Sequence, residues 1–235
     1  MKGTFVPWAM AAPLAWLVVA APAAGLSASW GATSRITSNS DIVSPATVVA
    51  AFNLGNAGST IDVAVDGRTI PFEPGTVSGF TEYGNASFFD PAGTSVDADF
   101  ESVLDTFAQR NPPNDTTGAL SFSGLEENAT YLLQVFVADD RGSVWNRTFS
   151  VGGAQTTFAT NSGGLTTATA VATVRTGPGE TSFDLIVGGG PLNAAVIARA
   201  PLAAPALSAG PGIGLAVALL AGGFLVMRSQ RRARL

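Results

Sequence analysis

Short apolar and β-branched runs, each closed by Gly, Pro or Asn, cover the chain from Trp30 to Arg199. A turn signal every 8–12 residues or so fits strands rather than helices. Thr60–Val65 and Arg68–Phe72 flank Asp66-Gly67, a dipeptide suited to the two positive φ angles of a type I′ hairpin turn. Thr47–Phe52, Leu120–Phe122, Trp145–Val151 and Ala194–Ala198 read as further strands. In Thr167–Arg175 the residues Ala168, Ala170, Ala172 and Val174 fall on one face, and Phe183, Leu185 and Val187 alternate in the same way. Tyr131–Ala138 is apolar on both faces except at Gln134, so it reads as a central strand covered on both sides. With weaker runs counted, about ten strands are expected. Their number and spacing predict an all-β fold, an antiparallel sandwich of jelly-roll type.

One short helix interrupts the strands. Phe100, Val103, Leu104 and Phe107 recur at i, i+3, i+4 and i+7, behind Asp99 as the expected cap and ahead of Asn111-Pro112-Pro113. Glu101 in its first turn and Arg110 in its last would suit the helix dipole. Its apolar stripe is expected in the core, plugging one end of the sheets.

The termini carry addresses. Residues 1–24 read as a signal peptide: Lys2, an apolar stretch from Trp8 to Ala21, and small residues Ala21-Pro22-Ala23 before a cleavage site. Cleavage after Ala24 fits as well, and an uncleaved anchor is the alternative. Ala206 to Met227 is a charge-free run of 22 residues, long enough to cross about 30 Å of hydrocarbon as a helix. Arg228, Arg231, Arg232 and Arg234 follow, which keeps residues 228–235 cytoplasmic by the positive-inside rule and leaves the body outside. The expected layout is therefore a signal peptide (1–24), a sandwich (25–199), an Ala/Pro-rich spacer (200–205), a transmembrane helix (206–227) and a basic tail. The order from Ala200-Pro201-Leu202 through that helix to the arginines resembles the PEP-CTERM class of sorting signals read by bacterial exosortases, although Pro-Glu-Pro is missing. That resemblance implies an exosortase-type partner and a tether that is either clipped or permanent.

Composition removes whole classes of chemistry. The 235 residues contain no Cys and no His, so thiol chemistry, disulfides, imidazole ligands and His-based triads are excluded. All 17 acidic residues lie between Asp41 and Asp184, against seven arginines between Arg35 and Arg199, a formal −10 for the body. Such a body repels nucleic acid and suits a neutral polymer, a divalent cation or plain solubility.

A second resemblance rests on the body. Ser29-Trp30-Gly31, Asn39-Ser40-Asp41-Ile42, Leu120 to Leu125, Tyr131 to Val137, Asp140-Arg141, Arg147-Thr148 and Leu192-Asn193-Ala194 with Arg199 are together similar to the galactose-binding-like sandwich domains of exported bacterial proteins. This implies a jelly roll and an association with carbohydrate or matrix, and it brings no catalytic residues. A fold alone does not fix a function.

Three groups of side chains are candidates for chemistry. Asp139, Asp140, Arg141, Trp145, Asn146 and Arg147 supply an aromatic face and the edge groups that bind sugar hydroxyls. Their alternative use is an inter-sheet Trp145 and an Arg–Asp pair that fixes a hairpin. Asp41, Asp97 and Asp99, with Asn39 and Glu101 near them, offer hard oxygens to a structural calcium, the one cofactor this composition invites. For Asp97 and Asp99 the alternative use is helix capping and dipole compensation, and no full calcium-loop spacing is present. Glu126-Glu127 is a carboxylate pair, but adjacent turn residues diverge, whereas glycosidases need carboxyls about 5–9.5 Å apart across a cleft. The expectation is an exported, membrane-tethered, non-enzymatic surface or matrix protein with the membrane and a polysaccharide as its partners. A purely structural matrix protein is the alternative, and an extracellular hydrolase ranks last.

Overall fold

A computed structural model describes residues 25–43, 47–55, 58–84, 96–110, 117–139, 145–160 and 167–201. The segments read from sequence as a signal peptide and a transmembrane helix lie outside these residues. Among the described residues no helix is long and apolar enough to cross a membrane.

The body is an all-β sandwich with one short helix. Its strands are β1 (Ser27–Trp30), β2 (Thr47–Asn53), β3 (Ile61–Val65), β4 (Arg68–Pro74), β5 (Phe80–Tyr83), β6 (Phe107–Arg110), β7 (Gly118–Ser123), β8 (Thr130–Ala138), β9 (Trp145–Val151), β10 (Ala154–Thr160), β11 (Thr167–Arg175), β12 (Ser182–Gly188) and β13 (Ala194–Arg199). The larger sheet has the order β1-β11-β8-β13-β2-β4-β3, the smaller β10-β9-β12-β7, and β5 pairs with β6 alone. The β3–β4 hairpin forms as expected, with Asp66 at φ 49° and Gly67 at φ 78°. The sheets are not wholly antiparallel, however. β2 meets β4 in parallel through Phe52–Glu73 and Asn53–Pro74.

Small residues on one sheet meet large ones on the other. Ala168, Ala170, Ala172, Ala195 and Ile197 of the larger sheet face Phe122, Phe149, Phe158, Phe183 and Leu185 of the smaller. Phe122 and Phe183 have ring centroids 5.3 Å apart, and Phe149 and Phe158 are 5.0 Å apart. Alanines on one inner face leave room for the rings of the other, so the layers interdigitate.

β8 is covered on both sides, as its sequence predicts. Leu133, Val135 and Val137 face the smaller sheet, while Phe136 and Ala138 belong to a second core with Ile36, Ile42, Val63, Phe72, Phe100, Val103 and Leu104. The lone polar residue of the strand, Gln134, is buried on that second face. Its Oε1 accepts from Val43 N at 2.7 Å, and its Nε2 donates to Asp41 O at 2.6 Å and Thr169 Oγ1 at 2.9 Å. One amide thereby docks the segment containing the 3₁₀ turn Asn39–Asp41 onto the sheet.

The helix departs from its sequence reading in three ways. α1 spans Ala98–Leu104, and its cap is Asp97, not Asp99: the Asp97 side chain accepts from Phe100 N at 2.9 Å. It ends at Leu104 because Thr106 turns inward, its hydroxyl 3.0 Å from Val103 O and 2.5 Å from Asn53 Oδ1. Phe107 and Arg110 then belong to β6, paired with β5, and not to a last helical turn. The stripe Phe100, Val103 and Leu104 is buried, but in the second core over the outer face of the larger sheet. Phe100 meets Phe136 edge-on at 5.5 Å.

Asn193 ties the helix to the sheet. Its Nδ2 donates to Leu104 O at 2.6 Å, its Oδ1 accepts from Ala138 N at 2.8 Å, and its backbone joins Phe136 and Leu54. A buried backbone group deprived of its partner costs about 1–3 kcal/mol. Asn193→Ala strands two such groups, so we expect urea unfolding to show a loss of about 2–6 kcal/mol. Exposed Asp99→Ala, measured beside it, should fall within about 0.5 kcal/mol of the parent.

Candidate functional site

The polar cluster predicted at the β8–β9 connection is divided by the fold. Asp139 directly follows β8, and Arg147 lies two residues into β9. Their side chains are 0% and 1% exposed and form an ion pair with each other. Neither presents a free edge to a ligand at the surface, so both are corrected from sugar contacts to internal partners. This is the use the sequence offered as the alternative: an Arg–Asp pair fixing a hairpin. Asp140 and Arg141 lie outside the described residues. Trp145 opens β9 opposite Thr160, with its side chain outside the description. Asn146, opposite Ala159, is exposed.

The pair needs a neighbour without a side chain. Gly190 sits at φ +77°, and a Cβ there would fall inside the Arg147 guanidinium. The Gly188-Gly189-Gly190 turn is therefore more than a reversal, because it makes room for a buried cation. Two buried charges give weak stability for their desolvation cost, yet removing either one strands the other. Such a pair fixes geometry: here it joins the residue after β8 to the third residue of β9.

Two of the acidic residues considered for calcium, Asp41 and Asp97, are held by capping hydrogen bonds. Asp41 Oδ2 accepts from Thr37 N at 2.5 Å, Thr37 Oγ1 at 2.9 Å and Ser38 N at 2.9 Å. Asp97 caps α1, and its own N–H donates to Asn39 Oδ1 at 3.1 Å. Asn39 Nδ2 reaches Ala64 O at 2.7 Å on β3. Asp99 is exposed in the first helical turn. Among the described residues no group of three or more acidic side chains could hold a metal ion.

Glu126 and Glu127 point to different partners. Glu126 pairs with Arg199, and Glu127 accepts from Gly179 N at 2.6 Å. They do not face each other across a cleft.

Sequence reasoning missed one concavity. A hollow of about 400 Å³ lies between β2 and β4, lined by Thr47–Ala51 on one side and Arg68–Pro71 with Glu73 on the other. Pro71 within an apolar run was the available signal, since proline belongs at strand edges.

No family model and no curated protein matches the chain. Solved structures are similar to it at low identity. The structure of the plant peptide RALF23 in complex with FER and LLG2 is 15% identical over 65% of this chain and 48% of the other, with TM-score 0.49. A CBM35 described as Xyl-CBM35, in complex with a glucuronic-acid-containing disaccharide, is 13% identical over 66% and 100%, with TM-score 0.35. A GH115 4-O-methyl-α-glucuronidase, BtGH115A, is 13% identical over 67% and 18%, with TM-score 0.36. This chain spans about half the length of the first of these.

The buried pair is open to a direct test. Arg147→Ala and Asp139→Ala should each cost about 3–5 kcal/mol in denaturant unfolding. The double replacement Arg147→Met with Asp139→Leu should recover most of that loss, because no charge is left stranded.

Proposed function

We propose that this protein is an exported, membrane-tethered, non-enzymatic sandwich of the galactose-binding-like type that binds a neutral polysaccharide at the cell surface or in the extracellular matrix. The observation that carries this reading is the enclosed Asp139–Arg147 pair at the root of the β8–β9 loop. Recognition loops work when a rigid scaffold holds their ends. Here that scaffold presents Asn146 outward and carries Trp145, Asp140 and Arg141 in sequence beside it. The formal −10 of the body favours neutral over anionic polymers. The terminal segments supply the address: the signal peptide for export, and the 22-residue apolar run with its arginines for the tether, with an exosortase-type enzyme as the partner that would act on it.

A structural matrix role without a small ligand is the second reading. Its support is the capping of Asp41 and Asp97 and the internal pairing of Asp139, which leave these acids committed to the fold.

The deciding experiment uses the full-length protein in detergent on an array of neutral and acidic glycans. We expect binding to neutral glycans, weakened about tenfold or more by Trp145→Ala or Asn146→Ala with the melting temperature unchanged, a change near 1.4 kcal/mol. Failure to bind any glycan, with melting unmoved by sugars, would leave the structural reading. Protease access to the sandwich in intact cells tests the address: protection until the cells are lysed would refute export.

A further inference from the structure

The start of β1 is anchored by one carboxylate. Glu180 lies on the connection between β11 and β12, and it is half-buried. Its Oε2 accepts from Gly177 N at 2.6 Å within the same turn. Its Oε1 accepts from Leu26 N at 2.9 Å, 154 positions away in sequence. Leu26 packs against the main core, and β1 begins one residue later, laddered to β11 from Ser27 to Trp30. The edge strand of the larger sheet is thus fastened at its first residue by this side chain.

Charge at this place is one-sided. Glu126 and Glu127 stand on the neighbouring β7–β8 connection, where Thr176 Oγ1 donates to Glu126 O at 2.7 Å and Gly179 N to Glu127 Oε2 at 2.6 Å. Three acidic residues therefore gather about the turn 176–180. Arg199 pairs with Glu126. Among the described residues no arginine pairs with Glu180, whose carboxylate is held by two backbone N–H groups. No lysine is at hand either, because the single lysine of the sequence is Lys2, inside the segment read as a signal peptide. A carboxylate in such a field gains from a nearby cation.

Removal of residues 1–24 creates that cation. Hydrolysis of the Ala24–Gly25 bond by a leader peptidase takes up one water and leaves a carboxylate on Ala24 and an ammonium on Gly25. A Cβ at Gly25 would stand 3.6 Å from Glu180 Oε1. The Gly25 nitrogen, bonded to the same Cα, therefore lies within about 6 Å of that oxygen. Opposite charges at this range favour each other's ionised form. Cleavage after Ala23 would instead move the ammonium one Cα–Cα step, about 3.8 Å, along the chain.

We propose that Glu180 is the docking site for the α-ammonium of a mature chain that begins at Gly25. The pair holds the first residue of that chain beside the strand that follows it. An uncut precursor lacks the pair, because its Gly25 nitrogen is a neutral amide. Processing thereby strengthens the closure of β1 on β11. The inference rests on the export reading, since it requires a leader that is removed, and it does not depend on the carbohydrate reading of the β8–β9 loop.

The test uses the protein isolated in detergent from the cells that produce it. Amino-terminal sequencing should give Gly25 as the first residue. Met1 still in place would overturn the export reading and this inference together, whereas cleavage at another bond would overturn this inference alone. A chain that has lost Lys2 keeps the α-amino group as its one primary amine, so succinimidyl acetate reports on that nitrogen. Acylation needs the unprotonated amine, which a neighbouring carboxylate disfavours. We expect Glu180→Gln to speed acylation at pH 7 about threefold or more. Glu127→Gln, which removes the same charge from the adjacent connection, should change the rate by less than about 1.5-fold. Acetylation of the amine should lower Tm by about 2 °C in the parent and by less than about 0.5 °C in Glu180→Gln. Equal acylation rates in the parent and Glu180→Gln, or equal losses of Tm on acetylation, would overturn the proposal.

Discussion

The structure depends on burying one strand, β8, from two directions. Its odd and even residues enter different cores, one shared with the smaller sheet and one roofed by α1 and the segment around Asn39–Asp41. A strand buried on both faces needs cover for its polar exception as well as for its apolar residues. Gln134 meets this need by accepting and donating to backbone that approaches from the roof. The roof is thus attached by hydrogen bonds that exist only when β8 lies at this depth. Asn193 does the same at the strand's far end for the last turn of α1. Hydrophobic area drives both cores together, while the two amides choose the register in which they close.

This division explains what could be read in advance. Strand identity follows from local pattern: Ala168, Ala170 and Ala172 alternate, and they are buried as the alternation requires. The turn at Asp66-Gly67 follows from the φ angles that those residues tolerate. The limits of α1 do not follow, because Phe107 keeps helical spacing and only its pairing with Tyr83 makes it a strand residue. Asp97 and Asp99 are both acceptable caps in sequence, and the choice depends on Asn39 receiving the Asp97 N–H from 58 positions away. Pattern reveals which face of an element is apolar, while the partner that covers it belongs to the tertiary structure.

The site was legible to the same extent. The residue types between Asp139 and Arg147 mark a polar connection, and the strands on either side of it, β8 and β9, lie where the alternation of the sequence puts them. What sequence could not decide was which charge turns inward. Arg147 is enclosed because Gly190, 43 positions later, lacks a side chain where the guanidinium lies. A glycine-rich turn reads as a simple reversal until the group that fills its vacancy is known. The same limit hid the gap between β2 and β4, since a bulge at Val49 leaves no mark in composition.

Unpaired strand edges are hazards, because they recruit other chains without selection. At the rims of this sandwich they are occupied by side chains, Asn39 on β3 and the Trp30 indole at β10. The β2–β4 gap is managed otherwise. It lies inside the larger sheet, where β2 and β4 pair only through Phe52–Glu73 and Asn53–Pro74. Pro71 removes one donor, and the bulge at Val49 breaks the spacing on the opposite wall. These are the devices that protect an edge from indiscriminate pairing.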